Sequence, residues 1–286
     1  KQKVKLTQRQ KKAQPSVKNT FKTKALSDIA MPDLNDLDVT DINPVVSTAA
    51  PAIGDMGSTD DAKNALKGLG LALPKTMQSR CDPKARVDRL VAGGGSRNTE
   101  EAIKRGLNWL KETQTEDGSW IGADQSRNKN AMTGMGLLCF LGHCELQDSP
   151  DYGETVHKAI EFLTSTPAAP KLARPVEYSH PIRTYALCEA YTMTKIKKLE
   201  SFAKTATELI INNQNESGGW AYGYGKGPTA HTDLSISGWN IQALKAAALT
   251  GIYIEGLDEA MDKAIDYVKR CQTGDGKFAY KEGSGG

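Results

Sequence analysis

The stretch Arg105–Trp120, RGLNWLKETQTEDGSW, decides the fold. It begins as an amphipathic helix. With Ile103 just upstream, Gly106, Leu107 and Leu110 follow the i, i+3, i+4, i+7 spacing of a helix that buries one face. Asn98 with Glu101 three residues on fits a variant of the capping box and marks the expected start. The polar turn TEDGS stops the helix, and Trp120 closes the stretch. Two of the chain's four tryptophans, Trp109 and Trp120, lie here. Further on, AMTGMGLLCFLG (131–142) is apolar nearly all round, the pattern of a helix buried on every side. The unit is one amphipathic helix, a glycine-containing turn and one buried helix.

The unit recurs. By helix phase Trp109 is matched by Phe162, Leu209 and Tyr267, at steps of 53, 47 and 58 residues. A period near 50 with two helices in each indicates a helical-hairpin repeat. Amphipathic helices are expected over 99–114, 152–165, 198–213 and 257–271, with buried partners over 131–143, 181–193 and 233–249. The turn reappears as QTEDGSW, QNESGGW and QTGDGKF; the second unit reads STPAAP instead. Gly118, Gly218 and Gly276 can leave a helix with positive φ. Gln114, Gln214 and Gln272 stand at helix C-termini, where a side-chain amide can satisfy carbonyls that lack a helical partner. Trp120, Trp220 and Phe278 can wedge neighbouring hairpins together. These are tasks of joining repeats, not of chemistry.

RGLNWLKETQTEDGSW resembles the QW repeat of the squalene cyclase, oxidosqualene cyclase and protein prenyltransferase superfamily, with looser copies ending at Trp220 and Phe278. HPIRTYALCEAY and DLSISGWNIQALKAA are similar to inner helices of bacterial squalene-cyclase-like repeat proteins. The resemblance covers 98–286. It implies an all-α (α/α) toroid, with inner helices lining a central cavity and outer helices around them. A full ring in that family holds more hairpins than this sequence contains, so further residues or another protein chain are expected to complete it at the open end after Gly286.

Composition frames the rest. The chain has 286 residues, a net charge of +3 and 38% apolar residues. That charge gives no overall field to favour nucleic acid. No apolar run reaches the roughly 18 residues that would suggest a membrane span. Residues 1–24 carry nine Lys or Arg and no acid, whereas 25–61 carry eight Asp and no Lys, Arg or Glu. Residues 1–97 read as a charged, largely irregular arm and connector ahead of the repeat domain at 98–286, with at most short helices in 62–97. Such an arm suits docking on another protein chain, and its basic end suits membrane proximity. The location is left open between the cell envelope and the cytoplasm. Five cysteines without a CxxC pair read as neither a disulfide framework nor a zinc ribbon.

If the inner helices run parallel, their N-termini gather at one end of the cavity. Free N–H groups and positive potential concentrate there. Asn130, Tyr178, His180 and Arg183 are therefore expected at the rim of a ligand-binding cavity. His231 and Asp233, in AHTDLSISGW, are the catalytic candidates, Asp233 as an acid oriented by His231. The competing reading makes Asp233 the N-cap of its helix. The resemblance implies a D-x-D-D acid cluster in squalene cyclases and an Asp-x-Cys zinc element in prenyltransferases. Neither is present, so no metal or other cofactor is expected, although His180, His231 and Asp233 have the residue types of a three-ligand zinc site.

Glu189 and Lys245 stand on apolar inner helices and are expected to pair across them. CELQ (144–147) has the Cys-to-Gln spacing of thioester proteins without their signature. Phe140, Tyr185, Tyr191 and Trp239 are few aromatic faces for stabilising a carbocation. The expected function is a non-catalytic scaffold or binding module in a larger assembly, with room for an apolar small molecule. The alternative is a terpenoid cyclase-like or prenyltransferase-like enzyme acting on an isoprenoid.

Overall fold

The computed structural model describes residues 73–122, 128–172, 175–227 and 229–283. The charged segments at 1–61 lie outside them. Among the described residues there are nine α-helices and no β-strand: α1 Lys75–Cys81, α2 Pro83–Ala92, α3 Arg97–Thr113, α4 Lys129–Gly142, α5 Gly153–Thr164, α6 Val176–Thr194, α7 Lys197–Asn212, α8 Leu234–Ala248 and α9 Leu257–Arg270. The protein is all-α.

Helices α3, α5, α7 and α9 fall within a few residues of the expected amphipathic segments, and α4, α6 and α8 match the expected buried ones. Two starts differ. The N-cap of α3 is Ser96, whose N–H donates to Thr99 Oγ1 at 3.1 Å. The capping pair therefore precedes Asn98 and Glu101. Helix α6 begins at Val176, so Pro181 lies inside it rather than at its first position. A proline there removes only the N–H that would reach the Glu177 carbonyl, and the helix continues past it.

Helix α6 packs between α4 and α8, while α5 packs on α4 and α6, α7 on α6 and α8, and α9 on α8. One apolar cluster gathers Leu137, Phe140, Leu163 and Leu187, and a second gathers Ile210, Trp220, Ile236 and Leu244. Close approach needs small residues. A Cβ on Gly134 of α4 would stand 3.1 Å from Ile182 of α6.

Helices α1 and α2 fold back over this assembly. Met77 is buried with the first cluster. Arg80 pairs with Glu189 of α6 at 2.7 Å, and Arg86 pairs with Glu100 of α3 at 3.0 Å. Cys81 and Cys144 form a disulfide across Cα atoms 5.1 Å apart, a normal span for the bond. Two expectations are corrected by this. The cysteines do supply one structural bridge. Glu189 is neutralised by Arg80 and not by Lys245, which is exposed. Both partners come from α1, whose position over α6 leaves no local trace in the sequence.

Candidate functional site

The recurring turns come first, because they position everything else. In the turn after α3, Gln114 Nε2 donates to Gly118 O and to Thr155 O of α5, each at 3.0 Å. After α7, Gln214 Nε2 donates to Gly218 O at 2.9 Å and to Ala260 O of α9 at 2.8 Å. The glutamines thus bridge each turn to the next amphipathic helix, rather than to carbonyls of their own helix. Trp120 Nε1 donates to Leu110 O and Trp220 Nε1 to Ile210 O, both at 2.8 Å. Their backbone N–H groups donate to Thr133 Oγ1 and Ser237 Oγ. Gly118 has φ +83° and Gly218 φ +86°, and a Cβ on either would meet a backbone carbonyl, Lys158 O at 2.3 Å or Lys263 O at 2.1 Å. The third turn closes the same way, Thr273 N–H donating to Lys277 O at 2.8 Å and Gly276 at φ +83°. Here Gln272 is exposed and Phe278 is 54% exposed, against 4% for Trp120 and 0% for Trp220. Phe278 wedges no hairpins among the described residues.

Asp233 sits at the N-terminus of α8 with no exposed surface. Its Oδ1 accepts from Ser235 N–H at 2.7 Å, Ile236 N–H at 3.1 Å and Ser235 Oγ at 2.6 Å. This is N-cap geometry. Burial pushes its carboxyl up, but bonds from the Ser235 and Tyr280 hydroxyls and the two N–H groups outweigh that and hold it below the usual value. Phenols surround the cap. Tyr178 OH lies 2.8 Å from Ser235 Oγ, Tyr222 OH lies 3.3 Å from Tyr280 OH, and the Tyr178 and Tyr222 rings meet edge to face at 6.2 Å. His231 is exposed, two residues before the cap, and Asn130 is half-buried in the first turn of α4.

His180 and Arg183 are elsewhere. His180 is 2% exposed and donates Nε2–H to Ala206 O of α7 at 2.9 Å, with Tyr224 edge-on to its ring. Burial lowers its pKa to about 4, so the ring is neutral near pH 7. Arg183, 1% exposed, donates to Leu163 O, Thr166 O and Pro167 O at 2.7, 2.6 and 3.0 Å, with its guanidinium over the Phe202 ring. It caps the C-terminus of α5 from within. Neither residue stands at a rim. Among the described residues no three His, Cys, Asp or Glu side chains gather as a metal site, so His180, His231 and Asp233 do not form one. Of the aromatics weighed for a carbocation pocket, Phe140 is fully buried against Trp120 and Tyr152.

Two features escaped the sequence. His143, nearly buried, places Nδ1 2.8 Å from Glu145 Oε1 and Nε2 3.0 Å from Glu100 Oε1, with Arg86 on the same Glu100 oxygen. Burial raises the Glu100 carboxyl, and the bonds from His143 and Arg86 override it and hold it low. This knot ties α2, α3 and the end of α4 together. A histidine at a helix end was its only signal. The second is an apolar groove of about 510 Å³ between α3 and α4, lined by Trp109, Trp120, Ile121, Met132, Met135 and Cys139. Trp109 is 61% exposed there. No family model, curated protein or solved structure matches this chain.

Proposed function

We propose that the chain is a non-catalytic helical-hairpin scaffold of the squalene-cyclase-like (α/α) toroid type, which binds protein partners through its arm and its edges. The observation that carries this reading is the use made of Asp233. A cyclase acid must deliver a proton, so it must hold one. Asp233 is held below the usual carboxylate range and spends Oδ1 on the Ser235 hydroxyl and on two N–H groups of the first turn of α8. Of the expected rim residues, His180 is engaged as a neutral donor to α7 and Arg183 on three carbonyls. The paired turns around Trp120 and Trp220, with one hydrogen-bond pattern, support the repeat. The apolar groove beside Trp109 offers room for a hydrophobic ligand or a partner's side chains.

The test is to incubate the protein with squalene and with prenyl diphosphates and follow product by mass spectrometry. No product is expected. Asp233→Asn keeps a capping oxygen and should leave stability unchanged, whereas Asp233→Ala should cost about 1 kcal/mol. Turnover that disappears in a folded Asp233→Asn variant would overturn the scaffold reading.

A further inference from the structure

The turns fix a register between the amphipathic helices. Gln114 and Gln272 begin turns of the same closure, which makes Ala102, Gly106 and Trp109 of α3 equivalent to Ala260, Ala264 and Tyr267 of α9. The two glutamine bridges, to Thr155 and to Ala260, bring in Thr155, Ala159 and Phe162 of α5. The paired tryptophans, on Leu110 and Ile210, bring in Phe202, Ala206 and Leu209 of α7.

In α5, α7 and α9 this stripe is covered by the preceding hairpin. Thr155, Ala159, Phe202, Ala206, Ala260, Ala264 and Tyr267 are buried, and Phe162 and Leu209 are half-buried. Tyr267 lies directly beneath the turn, since a Cβ on Gly219 would touch its ring at 2.8 Å. In α3 the same stripe is Ala102, Gly106 and Trp109, apolar or small, and all three are exposed. Nothing stands within 4 Å of a Cβ built on Gly106.

The covering element is also present, with nothing docked on it among the described residues. The turn at 272–278 has the closure and positive-φ glycine of the two docked turns, yet a Cβ on Gly276 meets nothing within 4 Å. Its glutamine and aromatic face solvent. The chain therefore carries a donor turn and an acceptor face of one interface, both exposed, the turn with the backbone closure and positive-φ glycine that the chain uses twice internally. Even the flanking charges correspond: Glu154 and Lys158 pair on α5, Glu259 and Lys263 on α9, and α3 has Glu101 and Arg105 at the same two positions.

We infer that the 272–278 turn of one copy docks on the α3 stripe of a second copy, with Trp109 taking the place of Tyr267 and Gln272 reaching the Ala102 carbonyl. The interface is head-to-tail, so it propagates until a ring closes or a filament grows. The inference rests on the hairpin register of the proposed scaffold.

The experiment follows the mass of the 286-residue chain against concentration by sedimentation velocity. Wild type should self-associate as concentration rises, into a closed ring of two or more copies or into longer species. Trp109→Asp blocks the face and Gly276→Ala blocks the turn; both positions are exposed, and near-ultraviolet circular dichroism checks that each variant folds. Each alone should weaken association by at least about tenfold. Mixed together they should give a dimer and nothing larger, because each retains the half that the other lacks. A wild type that stays monomeric overturns the inference and leaves the two surfaces to another segment or protein. So does association that ignores both variants, or a mixture that fails to pair. Gly218→Ala separates this failure from failure of the register. If it destabilises the monomer while no association occurs, the hairpin register stands and only self-docking falls.

Discussion

Alanine at Gly218 and at Gly276 should cost very different amounts, although the two glycines share a backbone conformation. At φ +86° and +83° each substitution bears the penalty of an L-residue in the left-handed region, about 1–2 kcal/mol. At Gly276 that is the whole cost, because the new methyl meets nothing. At Gly218 the methyl would stand 2.1 Å from Lys263 O and 2.7 Å from its carbonyl carbon. These are helix backbone atoms of α9 and cannot rotate away. Relief requires the turn and α9 to separate. That forfeits the Gln214 bond to Ala260 O, worth about 1 kcal/mol, and part of the packing over Tyr267, where a fully buried large side chain contributes about 1.5–3 kcal/mol. Gly218→Ala should therefore cost about 3–5 kcal/mol in all, and Gly118→Ala, with its 2.3 Å approach to Lys158 O, should behave alike. Guanidinium titrations at low protein concentration measure the difference free of any association. In a domain of this size each kcal/mol also moves Tm by about 2–4 °C. Equal losses at 218 and 276 would refute the claim that the docked turns are held by close backbone contact.

Three further outcomes follow from buried groups. His180, with its pKa lowered to about 4 by burial, takes its proton in the unfolded chain first; its contribution is full above about pH 6.5, falls as pH drops towards 4, and amounts to about 3 kcal/mol. Denaturant midpoints across that window should lose this slope in His180→Gln, and an unchanged slope would count against it. The Cys81–Cys144 bridge spans 63 residues, a loop whose closure is worth about 4 kcal/mol on the chain-entropy model; unfolding with and without reductant should differ accordingly, and identical curves would sink this assignment. Arg183→Met should cost about 3–5 kcal/mol, since it strands three carbonyls at the end of α5, and calorimetry showing less than about 1 kcal/mol would contradict the cap.

What was legible in the sequence is what is encoded locally. Helix phase gave the buried stripe of α3 through Leu107 and Leu110, and Gly118 and Gly218 announced turns that only positive φ can make. Asp233 as a cap followed from its place before an apolar run. What failed was long-range. Nothing near Cys81 says that it meets Cys144, and nothing near Glu189 says that Arg80 will fold over it. His143 between two carboxylates depends on α2 and α3 arriving together. His180 and Arg183 stand at no rim because α6 begins earlier, at Val176, which draws both side chains into its second and third turns and against α7 and α5.

Arg183 also accounts for the one unit that breaks the pattern. STPAAP has neither the glutamine nor the glycine of the other turns, so the end of α5 has no side-chain amide to bridge it and no positive-φ exit. The guanidinium supplies the missing donors from α6, reaching Leu163, Thr166 and Pro167 at once. The same group covers Phe202 of α7, the position that Thr155 and Ala260 hold under glutamine-glycine turns. One buried cation thus performs both tasks of the absent motif, closing a helix end and seating the next helix. A charge so placed cannot also serve a ligand. By the same logic, an uncovered stripe on α3 and an unseated turn at 272–278 are the features of this fold that remain to be explained by contact with something else.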